Sequence, residues 1–178
     1  GESCIIAGVY SEHTIRDFSK VIGDNGTVVV VEANPQNASR LIDDCNDLKN
    51  VVITNKAIWR ESGEMEFILS KQSREQGYNR LVSDELQHFP EHLDDNPIII
   101  KVPTDTLVNI SNEFGIKKLD HVNLTINGAE LQAVECMAEL LHQHPNVRIY
   151  INSETPDPAE RTIECLEQIG FKVSLSTL

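Results

Sequence analysis

The stretch Thr27 to Asn37, TVVVVEANPQN, constrains the fold of this chain more than any other. Valines at 28 to 31 show no polar alternation, so the run reads as a strand buried on both faces, as in a parallel sheet. The run ends abruptly in polar chemistry. Glu32 stands where the strand should end, and Asn34-Pro35 supplies a helix N-cap followed by proline at the first helical position. A carboxylate at the carboxyl end of a parallel strand, beside a helix start, is where open α/β sheets place a group that grips a ribose. An end-of-strand acid facing only the following helix N-terminus has the same sequence signature. This stretch alone leaves both readings open.

The rest of the chain supplies the partners that such a strand needs. Cys4 to Gly8 (CIIAG) reads as a first strand ending in small residues. Tyr10-Ser11-Glu12 leads into a helix with Ile15, Phe18 and Ile22 at helical spacing, stopped by Gly23. After the valine strand, Ala38, Leu41, Ile42, Cys45 and Leu48 mark one face of a second helix. NVVITNKAIW, from Asn50 to Trp59, reads as a third strand. Strands alternating with helices make βαβ units, so the fold class expected is α/β, a mostly parallel doubly wound sheet with helices on both faces. No G-x-G-x-x-G lifts the first turn to a dinucleotide fingerprint, which weighs against a nicotinamide-binding domain.

The middle of the chain breaks the rhythm. Glu64 to Ser70 (EMEFILS) reads as an added strand pairing with the preceding one. Residues 71–96 are polar and aperiodic, with Tyr78, Asn79, Arg80, His88, Phe89 and His92 among acids, and read as an irregular loop or lid; disorder is the competing reading. His88 and His92 lack a convincing third metal ligand, so no metal is expected. Ile98–Val102 is a short strand, and a helix around Leu107 to Phe114 stops at Gly115. Leu119 to Asn127 alternates, with Asn123, Thr125 and Asn127 forming a polar row that can line a cleft at the strand's carboxyl end. Gly128-Ala129-Glu130 opens a long amphipathic helix through Leu131, Val134, Met137 and Leu141. Val147–Asn152 is the next strand, Asp157-Pro158-Ala159-Glu160 launches a helix to Gly170, and Lys172–Leu178 reads as a closing strand near an edge.

Composition excludes several partner classes. The 178 residues, 40% hydrophobic, suit a single domain over 1–178. With 15 Lys plus Arg against 28 Asp plus Glu, the net charge is −13, a surface that repels nucleic acid and anionic lipid. No apolar run reaches the length of a bilayer span and the N-terminus is not a signal peptide, so a soluble, cytoplasmic protein is expected. Cys4, Cys45, Cys136 and Cys165 are scattered among apolar residues and read as free thiols. A chain without an initiating Met that enters a strand almost at once suggests a trimmed protein.

The order of these pieces carries more than any one of them. The succession VVVVEANPQN, then NVVITNKAIW with GEMEFILS, then a strand running into INGAEL, resembles the FkbM-like family of S-adenosylmethionine-dependent methyltransferases over nearly the whole chain. The resemblance implies a Rossmann-like class I methyltransferase fold, S-adenosylmethionine as cofactor, and O-methyl transfer to a small-molecule or sugar hydroxyl. It implies that Glu32 binds the ribose hydroxyls, that Ala33 and Asn34 border the adenine, and that Ala57 and Ile58 flank it. Ala7, Gly8, Tyr10, Ser11 and Glu12 would pass beneath the methionine portion of the cofactor. Tyr78, Asn79, Arg80 and His88 are candidates for acceptor contacts. The acceptor and the oligomeric state are not legible.

Departures from the family pattern fall at the sites of chemistry. The first turn, roughly D-x-G-x-x-x-G in the family, has Ile5, Ala7 and Ser11. The strand ending K-I-D-V-E-G-A-E has Asn123, Thr125 and Asn127 in place of ionisable groups, and Val108 replaces an acid after Thr106-Leu107. Thr125, Asn127 and Glu130 are the remaining catalytic candidates, and neither an amide nor a hydroxyl is a general base near neutral pH. A catalytically inactive binding or assembly module is therefore the alternative to an enzyme.

Overall fold

The computed structural model describes residues 1–69, 79–84, 86, 98–152 and 156–175. In chain order the elements are β1 (Ser3–Ala7), α1 (Glu12–Ile22), β2 (Thr27–Val31), α2 (Pro35–Asp44), β3 (Val51–Thr54), β4 (Ala57–Ile58), β5 (Gly63–Leu69) and β6 (Arg80–Leu81). They continue with β7 (Ile98–Asp105), α3 (Leu107–Glu113), β8 (His121–Leu124), α4 (Glu130–Val134), α5 (Met137–Gln143), β9 (Arg148–Ile151) and α6 (Pro156–Gln168).

Five strands form a parallel sheet in the order β3-β2-β1-β8-β9. The valine run is β2, one strand from the edge, and its alternate side chains enter two separate cores. Val28 and Val30 join Cys4 and Ile6 beneath Ile15 and Ile22 of α1 and Leu41 of α2. Val29 and Val31 join Ile5, Val122 and Leu124 against α3, α4, α5 and α6. All four valines are at most 2% exposed, each worth roughly 1.5–3 kcal/mol of burial, so a polar substitution on either face would strand a group in a core. Asn34 caps α2 as the Asn-Pro pair dictates, its side chain accepting from the Gln36 and Asn37 amides. Ile42 departs from the expected buried face and is 49% exposed.

A second sheet, ordered β4-β7-β5-β6, stands beside the parallel one. The added strand β5 does not pair with the strand before it. Seven of its positions pair antiparallel with β7, from Gly63↔Thr104 to Leu69↔Ile98. The physical reason is length: β4 is two residues long and itself lies parallel to the end of β7, whereas β7 runs to Asp105, beyond the expected end at Val102.

Two further expectations change. The helix after Gly128 breaks at Glu135-Cys136 into α4 and α5. The break makes Val134, Met137 and Leu140 follow in steps of three, so Leu140 rather than Leu141 is buried. Residues 171–175 form no strand, although Phe171 and Val173 pack against the core; 176–178, like most of 71–96, lie outside the described residues. All four cysteines are free, Cys4 and Cys45 buried and the other two half-buried. Among the described residues no helix is long and apolar enough to cross a membrane.

Candidate functional site

The carboxyl ends of β1 and β2, the loop after β8 and one face of the second sheet enclose a cleft. Ala7 to Tyr10 form its floor where β1 leaves the sheet, and Val31 to Ala33 follow from β2. Lys56, Ala57 and Ile58 border it from β4, Phe67, Asn79 and Leu81 from the second sheet, and Thr125 to Asn127 with Ala129 from the exit of β8. Small residues are required on the floor. Gly8 has φ +77, its amide donates to the Val31 carbonyl at 3.1 Å, and a Cβ there would fall 1.8 Å from the Thr125 carbonyl oxygen.

Glu32 is 8% exposed and borders the cleft. One carboxylate oxygen accepts from the Asn34 backbone amide at 2.7 Å, the other from Nδ2 of Asn37 at 3.0 Å. The acid thus touches the start of α2 and also borders the cleft. A carboxylate has about four acceptor positions. These two bonds use one on each oxygen. Burial pushes the Glu32 carboxyl up to about 7, while the bonds from Asn34 and Asn37 and the charge of Arg40 pull the other way. Asn55, just after β3, donates to the carbonyls of Glu32 and Ala33 at 2.8 and 2.9 Å and so fixes the loop that carries the acid.

Of the other residues singled out above, Ala7, Gly8, Tyr10, Ala33, Ala57, Ile58, Asn79, Thr125 and Asn127 meet at the cleft. Ser11, Glu12 and Asn34 are not among its lining residues. Ser11 caps α1 by accepting from the His13 amide, Glu12 faces Arg40, and Asn34 caps α2. Arg80 lies in β6 between the lining residues Asn79 and Leu81 but does not itself line the cleft. Tyr78 and His88 lie outside the described residues. Glu130 is 1% exposed, and its two oxygens accept from the Ile126 and Gly128 amides at 3.1 and 2.9 Å, so it shapes the loop that presents Thr125 and Asn127. Asn127 adopts φ +53, and its amide donates to the Asn79 carbonyl at 2.8 Å, joining that loop to the second sheet.

Several contributors carry no advance signal. Asn55 and Phe67 reach the site through tertiary pairing alone. Lys56 lies between Asp105 at 3.0 Å and Glu113 at 2.6 Å, tying the cleft's edge to β7 and α3. Burial opposes the Asp105 charge, but hydrogen bonds from Ser62, Asn109, Lys56 and Thr106 outweigh it and hold the carboxyl below its ordinary value. Asn37 has a local signal: it is the third helical residue after the Asn34 cap, the position from which a side chain reaches back over a helix start. Among the described residues, no group of three or more His, Cys, Asp or Glu comes together as it would around a metal ion.

A parallel sheet covered on both faces, with a cleft of small residues and one buried acid at its carboxyl ends, defines a Rossmann-like domain. The chain belongs to the FkbM methyltransferase family, whose domain model, described as "Methyltransferase FkbM domain", matches residues 7–173. Among solved structures, fibrillarin from Aeropyrum pernix, crystallised with natively bound S-adenosyl-L-methionine, is similar with a TM-score of 0.54 at 13% identity, over 98% of this chain and 59% of that one. The chain thus spans 59% of the length of that relative. A precorrin-6y C5,15-methyltransferase from Geobacter metallireducens (TM-score 0.47, 11% identity, 99% of this chain and 68% of that one) also matches. So does a SAM-dependent methyltransferase from Aquifex aeolicus (0.45, 12%, 98% and 74%). No curated protein matches the sequence.

Proposed function

We propose that the cleft binds S-adenosylmethionine and that the domain transfers a methyl group to the hydroxyl of a small molecule or sugar. The observation that carries this reading is the Glu32 carboxylate, which borders the cleft with, among the described residues, one hydrogen bond on each oxygen. Glu32 would accept from both ribose hydroxyls, and the apolar side chains of Val31, Ala57, Ile58 and Phe67 would bury the adenine's faces. Gly8 and Val9 would run beneath the amino acid portion. When bound, the cofactor would supply an electrophilic methyl on a sulfonium; the acceptor oxygen would take it as the S–C bond breaks to a neutral thioether, and the hydroxyl proton would pass to water. The protein's part is to hold the acceptor in line and exclude water, for which positioning supplies much of the rate.

A cofactor-binding module without catalysis is the second reading, and particular contacts favour it. Asn127 is engaged with the Asn79 carbonyl, Glu130 is enclosed with both oxygens bonded to backbone amides, and Thr125 has no titratable side chain in this range.

Calorimetric titration with S-adenosylmethionine and S-adenosylhomocysteine tests binding, repeated on Glu32→Gln. Loss of hydrogen bonds to a charged group predicts about a 10- to 100-fold weaker affinity for the variant. Absence of heat for both ligands overturns the cofactor reading. Unchanged affinity in Glu32→Gln overturns the ribose contact. Binding without methyl release in the presence of hydroxylated acceptors leaves the module as the function.

A further inference from the structure

Two elements of the cleft that are distant in sequence, the turn after β1 and the acid after β2, are joined by side chains of α2. Asn37 is 7% exposed, and its amide nitrogen donates both to the Val9 carbonyl at 2.8 Å and to Glu32 Oε2 at 3.0 Å. Its amide oxygen accepts from the Arg40 guanidinium at 2.6 Å. The same guanidinium nitrogen donates to the Tyr10 carbonyl at 2.5 Å, and the other reaches Asp44 at 3.0 Å. This arrangement admits one orientation of the amide, because a flipped Asn37 would set a donor against Arg40 and its oxygen against Glu32 and the Val9 carbonyl. Every polar atom of the Asn37 side chain is committed, and two of its bonds end on groups that border the cleft.

We infer that Asn37 is a positioning residue for nucleoside binding: it aims the Glu32 carboxylate at the ribose and locks the Val9–Tyr10 turn to it, with Arg40 holding Asn37 in place. The inference rests on the cofactor reading above. Its chemistry follows from burial. A carboxylate that is 8% exposed favours its neutral form, and a protonated acid offers a diol one acceptor fewer and a donor in its place. The Asn37 bond works against that protonation, as does the Arg40 charge. The other ionisable side chains bordering the cleft, among the described residues, are Tyr10 from the β1–α1 turn and Lys56, which is already paired with Asp105 and Glu113.

The test uses Asn37→Ala and, because that site is buried, the half-exposed Arg40→Gln as a second variant. In the free protein, the Glu32 carboxyl titration followed by carbon-13 NMR should move to higher pH in both, more in Asn37→Ala. Chemical-shift titrations with adenosine and with 2′,3′-dideoxyadenosine at pH 6.5 and 8.5 supply the second readout. Asn37→Ala should weaken adenosine about tenfold at pH 6.5, less at pH 8.5, and leave dideoxyadenosine unchanged. Equal weakening of both nucleosides assigns Asn37 a structural role and overturns the inference. An unmoved Glu32 titration overturns it whatever the binding result. A wild-type protein that binds neither nucleoside but gives heat with S-adenosylmethionine overturns the inference and leaves the cofactor reading standing, whereas one that binds none of these ligands overturns the cofactor reading.

Discussion

Replacing Gly8 by alanine tests the geometry of the cleft floor most directly. The glycine sits where β1 leaves the sheet, with φ +77 and a built Cβ 1.8 Å from the Thr125 carbonyl oxygen and 2.7 Å from its carbon. Both obstacles are backbone, so no side chain can swing aside. Restoring ordinary contact at 3.4 Å requires the exit of β8 to retreat by about 1.6 Å, which would break the 3.1 Å bond from the Thr125 amide to the Ala7 carbonyl. A left-handed backbone costs a residue with a Cβ roughly 1–2 kcal/mol, forced repacking about 1–3 kcal/mol, and the lost hydrogen bond about 1 kcal/mol. The expected penalty is roughly 3–6 kcal/mol, a large part of the 5–15 kcal/mol that holds a typical domain folded. With a urea slope near 2 kcal/mol/M, the midpoint should fall by about 1.5–3 M. Gly63→Ala is the control: in β5 a Cβ meets nothing closer than Thr104 Oγ1 at 3.7 Å, and the midpoint should move by less than about 0.5 M. Equal losses in the two variants would refute the account of the cleft floor.

Two pH dependences follow from buried groups. His144 accepts from the Leu119 amide through Nδ1 and meets Ser111 Oγ through Nε2, each at 3.2 Å, and burial lowers its pKa despite the charge of Asp120. Its contribution is therefore complete above the unfolded value near 6.5 and is lost as pH falls toward the folded one, with a slope of at most about 1.4 kcal/mol per pH unit for one proton. Urea midpoints at pH 7, 6 and 5 should converge on a flatter line in His144→Asn; parallel profiles would count against the assignment. Glu32 has the opposite sign. Its pKa is raised from 4.5 to about 7, so its contribution is full below 4.5 and disappears as pH rises through 7, a span of roughly 3 kcal/mol. The stability of Glu32→Gln relative to wild type should therefore increase between pH 5.5 and 8.5, and a constant difference would show that the carboxyl is not desolvated.

The elements set by near neighbours are legible in the amino-acid order, and those set by distant pairing are not. A run of valines can only be a strand between two cores, and Asn34-Pro35 can only begin a helix in that context, so β2, Glu32 and α2 follow from local chemistry. The partner of β5 cannot be read the same way, because Gly63–Leu69 alternates equally well against any strand of its length; only the two-residue extent of β4 decides for β7. The break at Cys136 escapes for a similar reason, since Leu140 and Leu141 are adjacent and either can close an apolar face. At the site, the acid and the small residues are visible in sequence, whereas Asn55 and Lys56 look like ordinary loop polar residues until β3 and β7 bring their partners. The resemblance names Glu130 as a catalytic candidate by position, but its surroundings, two backbone amides and near-complete enclosure, are tertiary facts.

The central strand also sets an order on how this protein comes into being. β1 acquires β2 almost at once, but its other edge belongs to β8, and the bond from the Ser3 amide to Asp120 spans 117 residues. At 5–20 residues per second, a ribosome needs roughly 6–23 s to supply that partner. Throughout this interval the nascent chain carries an unpaired apolar edge, Cys4 to Ala7, of the kind that holdase chaperones bind and that aggregates recruit. Thr125 to Asn127 and Ala129, the last lining residues of the cleft to be synthesised, follow directly on the strand that ends this exposure, so closing the edge and completing the cleft are one event in the life of the chain.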